Sequence, residues 1–305
     1  MSSAHPLPAL DCLSDLLRQL GLPPPAHPLV AVVDYDKTPP TADLLEHRTF
    51  SLGLYKISLR PDFHGRVRYG QGHYDFTAGC MAFLKPPQVV SAPTEADAYT
   101  GRAVYVHPDL LRHRPLGRTI DRYGFFSYAI SEALFLSDRE KRVMGRLFDA
   151  VAAELHHPVD PFTDEIIIAQ LELLLTHSNR FYHRQFLTRR SVNHDLIDAL
   201  DRLLERYFAE ERGLTDGLPS ARFVSKELRL SQRYLSDMLQ ALTGLTTQQY
   251  LQRALVDRAC DLLSTTALSV SEIAYRLGFQ HSPSFSKFFK AKTRQSPLAF
   301  RASFG

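Results

Sequence analysis

The sequence predicts an α+β chain. A small N-terminal β-barrel or sandwich with flanking helices should be followed by an all-α domain in which two helix-turn-helix units are joined by a linking helix. Three observations predict it. Between Leu29 and Val106, short β-forming segments alternate with Gly and Pro punctuation. From His107 onward the apolar residues recur at helical spacing. Beyond Leu218, one helix-turn-helix pattern occurs twice.

Taken in order, Leu10, Leu13, Leu16, Leu17 and Leu20 form the stripe of a short amphipathic helix that GLPPPAHP ends. The strand segments are Leu29–Val33, Phe50–Leu59, Arg66–Tyr69, Cys80–Leu84 and Ala103–Val106. Helices follow at HPDLLRH, at Ser137 to Leu155 with Ser137 and Glu140 spaced as a capping box, and at Asp164 to Phe186. The last carries an apolar stripe of Ile167, Leu171, Leu174, Leu175 and Phe181, which suits either core packing or a seam with a second subunit. The basic run TRRSVN marks the domain boundary, giving units 1–187 and 188–305; a chain of 305 residues is long for one core. Asp195 to Glu210 is a further helix, broken by Gly213, Gly217 and Pro219.

The repeat carries the functional information. At an offset of 49, Val224 falls on Ile273, Ser225 on Ala274, Leu228 on Leu277 and Leu230 on Phe279. One added turn residue makes the offset 50, with Leu235 on Phe285, Ser236 on Ser286 and Leu239 on Phe289. The units span about 220–244 and 270–293. In the second, Ala274 allows close helix crossing, Gly278 supplies the positive φ of a sharp corner, and Ser282 with Pro283 opens the next helix as N-cap and first residue. Phe285, Phe288 and Phe289 should then face inward, leaving Ser282, Pro283, Ser284, Ser286, Lys287 and Lys290 at the surface. In the first unit Ser231 is the N-cap, Leu235, Met238 and Leu239 are inward, and Gln232, Arg233, Ser236, Asp237 and Gln240 should face outward.

A second helix placed in this way enters a DNA major groove. There Arg reads guanine, Gln reads adenine, and Lys neutralises phosphate. Charge agrees: from Leu218 onward there are twelve cations against five anions, although the whole chain is only +3. The linking helix, Thr246 to Leu263, is about 27 Å long, close to one turn of DNA.

Other classes are disfavoured. Hydrophobic residues at 44% and charged residues at 23% exclude wholesale disorder, and no apolar run is long enough for a membrane span. The N-terminus lacks a secretory signal pattern, so a cytoplasmic protein is expected. Cys12, Cys80 and Cys260 are isolated, and His156-His157 is neither HxH nor HExxH. No metal or cofactor is expected, nor any catalytic residue.

The run SEIAYRLGFQHSPSFSKFFKAKTRQSPLAFR closely resembles the signature of the AraC-type (AraC/XylS) transcription regulators, and VSKELRLSQRYLSDMLQALTGLTTQQYL resembles their first unit. By position, the resemblance makes Gln232, Arg233, Ser236 and Asp237 base-reading residues of the first recognition helix, and Ser282, Pro283, Ser286 and Lys287 those of the second. Three positions depart from the family pattern: Arg294 replaces a glycine, Thr247 a proline, and Arg229 stands where Gly278 stands in the other unit. Asp237 is out of place beside phosphates unless it accepts from cytosine or orients Arg233, and orientation is the expected role. YDFTAGCMAFLKPPQVV looks like part of the family's cupin-like barrel, which implies a small-molecule effector site, a dimer, or both. His64, Arg66, Arg68, His73 and Tyr74 are its pocket candidates.

The resulting expectation is a homodimeric regulator that binds double-stranded promoter DNA and not membranes, with a small-molecule effector and RNA polymerase as further partners. The competing readings are a cupin-type metalloenzyme with a DNA-binding tail and a DNA alkylation repair protein using a cysteine nucleophile. The first unit, richer in Gln and Arg, should supply most of the specificity.

Overall fold

The computed structural model describes residues 8–37, 49–60, 65–69, 72–76, 79–91, 100–129, 132–188 and 190–304; for 65–69, 72–76 and 190–194 only the backbone is considered. The chain forms two compact units, Met1–Gln185 and Phe186–Gly305.

In the first unit the described strands are β1 (Ala9–Leu10), β2 (Val30–Asp34), β3 (Thr49–Leu52), β4 (Tyr55–Arg60), β5 (Gly65–Tyr69), β6 (Gly72–Phe76), β7 (Cys80–Leu84), β8 (Gln88–Ser91), β9 (Arg102–Val106) and β10 (Leu134–Phe135). Its helices are α1 (Leu13–Gln19), α2 (Pro108–Leu111), α3 (Pro115–Thr119), α4 (Asp138–Glu154) and α5 (Thr163–Thr188), the last running three residues into the second unit. An antiparallel sheet of order β10-β7-β4-β9-β2 lies with a three-stranded sheet, β1-β3-β8, and a β5-β6 hairpin. β1 pairs parallel to β3.

Strand alternation gives the larger sheet two different faces. On one, Tyr55, Ile57 and Val106 meet Leu111, Leu116, Leu171 and Leu175 of the helices. On the other, Ala31, Val33, Leu84, Ala103 and Tyr105 share a core with Leu52 of the smaller sheet and with Leu13, Leu16 and Leu17 of α1. The N-terminal helix expected from its leucine stripe therefore closes this inner core.

Every residue of the expected α5 stripe, Ile167, Leu171, Leu174, Leu175 and Phe181, is buried. Core packing accounts for that stripe. The exposed apolar residues beside it are others: Phe162 just before the helix, and Ile166, Leu173 and, near its end, Leu187 on it. The two-residue β10 is too short to give a sequence signal; it pairs with β7, and a side chain braces it. Gln185 accepts from the Phe135 N–H at 2.8 Å and donates to the Ala133 carbonyl at 3.3 Å.

The capping box at Ser137 is present, with Glu140 Oε2 accepting from the Ser137 N–H at 2.8 Å. Glu140 has a second task. Arg184 near the end of α5 donates to both of its oxygens, at 3.0 and 2.9 Å, and to the Phe135 carbonyl at 2.8 Å. One carboxylate thus ties the start of α4 to the end of α5.

The second unit holds α6 (Arg190–Ala209), α7 (Gly213–Asp216), α8 (Ala221–Leu228), α9 (Gln232–Thr243), α10 (Thr247–Thr265), α11 (Val270–Arg276), α12 (Ser282–Thr293) and α13 (Pro297–Ala302). Helix α6 begins five residues before the expected Asp195, since most of the preceding polar run is itself helical. Replacing Ser137 by Ala should cost about 1 kcal/mol, the usual worth of an N-cap. Glu140→Ala should cost roughly 2–3 kcal/mol, because it also strands a partly buried guanidinium. Urea midpoints check the order; equal losses would mean that the Arg184 pair contributes nothing.

Candidate nucleic-acid interface

Each repeat builds a corner from an N-capped helix, a left-handed residue and a second helix. In the first, Ser220 Oγ accepts from the Phe223 N–H at 3.1 Å to open α8. Arg229 turns the chain at φ 57°, and Ser231 Oγ accepts from the Tyr234 N–H at 3.1 Å to open α9. In the second, Ser269 and Glu272 form a reciprocal capping box at the start of α11, and those hydrogen bonds hold the Glu272 carboxyl below its ordinary range. Gly278 turns the chain at φ 98°. The start of α12 differs from expectation. His281 is the N-cap, without a side-chain bond, and Ser282 and Pro283 are the first two helical residues. Pro283 has no N–H to satisfy, so the backbone closes instead through Ser284 N–H to the His281 carbonyl at 3.0 Å.

The left-handed positions obey the repeat even where glycine is absent. Arg229 occupies the position of Gly278, and Arg294 at φ 64° occupies that of Gly244 at φ 72°. Arginine in this region is strained by about 1–2 kcal/mol. Packing of the two helices on either side holds it there.

Helix α9 buries Tyr234, Leu235, Met238 and Leu239. Tyr234 was not expected among them; it meets the Phe186 ring edge-on at 5.2 Å. Gln232, Arg233 and Gln240 are exposed, and Ser236 and Asp237 half-exposed. Arg233 Nε donates to Asp237 Oδ2 at 3.0 Å. The carboxylate thereby steers the guanidinium and lowers the local charge, which accounts for an acid on this surface. Gln240 donates to the Gly244 carbonyl at 3.0 Å, so its amide nitrogen is engaged at the end of its own helix. On α12, Phe285 and Phe289 are buried and Phe288 only partly so. Pro283, Ser284, Lys287 and Lys290 are exposed, while Ser282 and Ser286 are half-exposed.

Linking helix α10 has 19 residues, hence a length of about 28 Å. It buries Leu251, Leu255, Ala259 and Leu263 and packs against elements of both repeats. The short α7 segment braces the second corner from outside. A Cβ on Gly278 would lie 2.2 Å from the Gly217 carbonyl, and one on Gly213 2.2 Å from that of Arg276. Tyr207 donates to the Gly217 carbonyl at 2.8 Å, and Arg276 pairs with Glu211 at 3.0 Å.

In the barrel unit, Arg66, Arg68, His73 and Tyr74 lie on the β5-β6 hairpin, where Arg68 pairs with His73 and Val67 with Tyr74 in backbone register. His64 lies outside the described residues. Among the described residues, no three His, Cys, Asp or Glu side chains cluster as metal ligands would, and no helix is long and apolar enough to cross a membrane.

Two helix-turn-helix units on one connecting helix define a DNA-binding domain, here beside a sheet-rich unit. A helix-turn-helix domain family matches residues 224–303, and an AraC-like ligand binding domain family matches residues 64–171. The activator RhaS of Salmonella schwarzengrund is 36% identical over 138 residues, which is 45% of this chain and 45% of RhaS, so the match spans less than half of the relative. Among solved structures, the C-terminal domain of the response regulator yesN from Fusobacterium nucleatum is 27% identical, covers 35% of this chain and 98% of that one, and has a TM-score of 0.31. ToxT from Vibrio cholerae is 13% identical, covers 89% and 96%, and has a TM-score of 0.30. Together the two family matches and the RhaS similarity support an AraC/XylS-type regulator.

Two substitutions test the corner geometry. Gly278→Ala should destabilise the second unit by at least about 2 kcal/mol, being strained in φ and blocked by backbone. Thr247→Pro should stabilise by roughly 0.5–1 kcal/mol. Thr247 is the first residue of α10, Thr246 is already extended, and the Thr247 hydroxyl is buried without a partner. A fall in melting temperature for Thr247→Pro would contradict this account of the cap.

Proposed function

We propose that this chain is a sequence-specific transcription regulator that binds promoter DNA through α9 and α12, under control of a small molecule held by the N-terminal unit. The observation that carries the reading is the pair of equivalent corners on α10, each presenting a helix with basic and hydroxyl side chains outward. Its family supports the same reading, and its relatives named as activators favour activation through RNA polymerase as the output. The assigned DNA contacts are Gln232, Arg233, Ser236, Asp237 and Gln240 on α9, and Ser282, Pro283, Ser284, Ser286, Lys287 and Lys290 on α12. A homodimer in the cytoplasm is part of the proposal. Phe162, Ile166 and Leu173 are the exposed apolar residues along α5 that a second copy would cover.

The enzymatic readings have less support. A repair nucleophile needs an activated thiolate. Burial instead pushes the Cys80 thiol up to about 11, and burial together with Asp257 and Asp261 raises that of Cys260.

Gel-shift titrations against a selected operator test the assignment. Arg233→Ala should cost about 1–3 kcal/mol and relax base preference at one position. Lys287→Ala should weaken binding evenly across sequences and reduce the salt slope by about one unit. Wild-type titration curves for both variants would remove these residues from the interface. Sedimentation of Ile166→Glu with Leu173→Glu should yield monomer; an unchanged assembly would move the dimer contact elsewhere.

A further inference from the structure

Arginine stands at two of the left-handed positions of the repeats: Arg229 at φ 57° between α8 and α9, and Arg294 at φ 64° directly after α12. The equivalent positions of the other repeat are the glycines Gly278 and Gly244. Glycine enters this region freely, whereas a side chain is strained there. The strain thus occurs twice in one domain, each time on an arginine and each time at one end of a candidate recognition helix.

A left-handed residue with a side chain is explained when that side chain has a partner to hold. Glu211, at φ 52°, is such a case, because its carboxylate pairs with Arg276 at 3.0 Å. Arg229 and Arg294 differ. Both are exposed, and among the described residues neither side chain takes part in an ion pair, a hydrogen bond or a ring contact. Their backbones are nonetheless fixed: the Arg229 N–H bonds back into α8, and the Arg294 N–H donates to the Lys290 carbonyl at 2.9 Å. A cation at a helix C-terminus gains from the macrodipole, but that gain is smaller than the left-handed strain. Around Arg294 the charges oppose it as well. Lys290 and Lys292 precede it, both exposed, and the chain carries no acidic residue from Ile273 to Gly305. Like charges one helical turn apart destabilise, so repulsion adds to strain.

We infer that Arg229 and Arg294 grip phosphates of the DNA backbone, Arg229 beside the start of α9 and Arg294 beside the end of α12. The inference rests on the DNA-binding reading of these helices and adds two residues to the contacts assigned on their faces. Neither arginine lies on those faces, which suits a phosphate better than a base edge. A guanidinium offers a planar fork of N–H donors to phosphate oxygens and needs no entry into a groove. The anion that each arginine lacks in the free protein is supplied by the duplex, and the strained turn holds the guanidinium where the bond forms.

Asparagine tolerates the left-handed region, so Arg229→Asn and Arg294→Asn keep the turn and remove the charge. Arg229→Lys and Arg294→Lys keep the charge. Arg206→Asn removes an exposed arginine of α6 outside both repeats and serves as the control. The full chain is titrated against a selected operator and a scrambled duplex from about 50 to 200 mM salt. Each Asn variant should weaken both duplexes about fivefold to tenfold and lower the salt slope by about 0.9 per bound protomer, with a melting temperature no lower than that of the wild type. The Lys variants and the control should keep the wild-type slope. Arg229→Gly and Arg294→Gly, which relieve the strain outright, replace any Asn variant that folds poorly. Wild-type slopes in both charge-removing variants, with the operator still bound, would overturn the phosphate role and leave the DNA-binding reading standing. So would an equal loss from Arg206→Asn, or a loss confined to the operator. No binding of either duplex by the wild-type chain would count against both.

Discussion

Both candidate recognition helices take their position from one row of side chains. Leu251, Leu255, Ala259 and Leu263 recur every fourth residue along α10 and are buried, making a single apolar ridge against which the two repeats pack. A helix is stiff over 19 residues, so the ridge joins the two small repeats into one body along a helix of about 28 Å. Ala259 in this row matters by its smallness, since a closer approach is possible there than at the leucines. Both repeats share this one ridge as part of their core.

Given that ridge, the corners follow. Each repeat must reverse direction within a few residues and then end its second helix, which takes two left-handed positions. Glycine fills one of the two in each unit and arginine the other, in opposite order: Arg229 and Gly244 in the first, Gly278 and Arg294 in the second. The choice at Gly278 is explained by contact. The Gly217 carbonyl would lie 2.2 Å from any Cβ there, whereas a Cβ at Gly244 would meet nothing within 4 Å. Glycine is needed at one corner by crowding and at the other only by φ, so conformational cost and packing cost are separable in this domain.

Much of this was legible in the sequence because it rests on period and residue size. The repeat, the buried faces of α9 and α12, the capping box at Ser137 and the α5 stripe all follow from apolar spacing or from a cap motif. What escaped depends on side chains acting at long range. β10 pairs with β7 and is bonded on its flank by Gln185, fifty residues away. The second task of Glu140 depends on Arg184, and the N-cap of α12 moved to His281 because proline removes the N–H that would have chosen between neighbours.

A local pair distinguishes the two candidate recognition helices. On α9 the Asp237 carboxylate is bonded to Arg233, so a guanidinium that could otherwise follow any phosphate is held by one oriented bond. Such a bond lowers non-specific attraction and reduces the rotamer freedom lost on meeting a base. On α12, Lys287 and Lys290 are exposed and neither is ion-paired among the described residues, with only hydroxyl side chains and a proline beside them at the helix start. Mobile lysines are point charges with little geometric demand, suited to the uniform field of the backbone. On the proposed function, the paired arginine of α9 would serve discrimination and the exposed lysines of α12 anchoring. Both helices pack on α10, so on the same reading weak anchoring by α9 and poor discrimination by α12 would be combined in one complex.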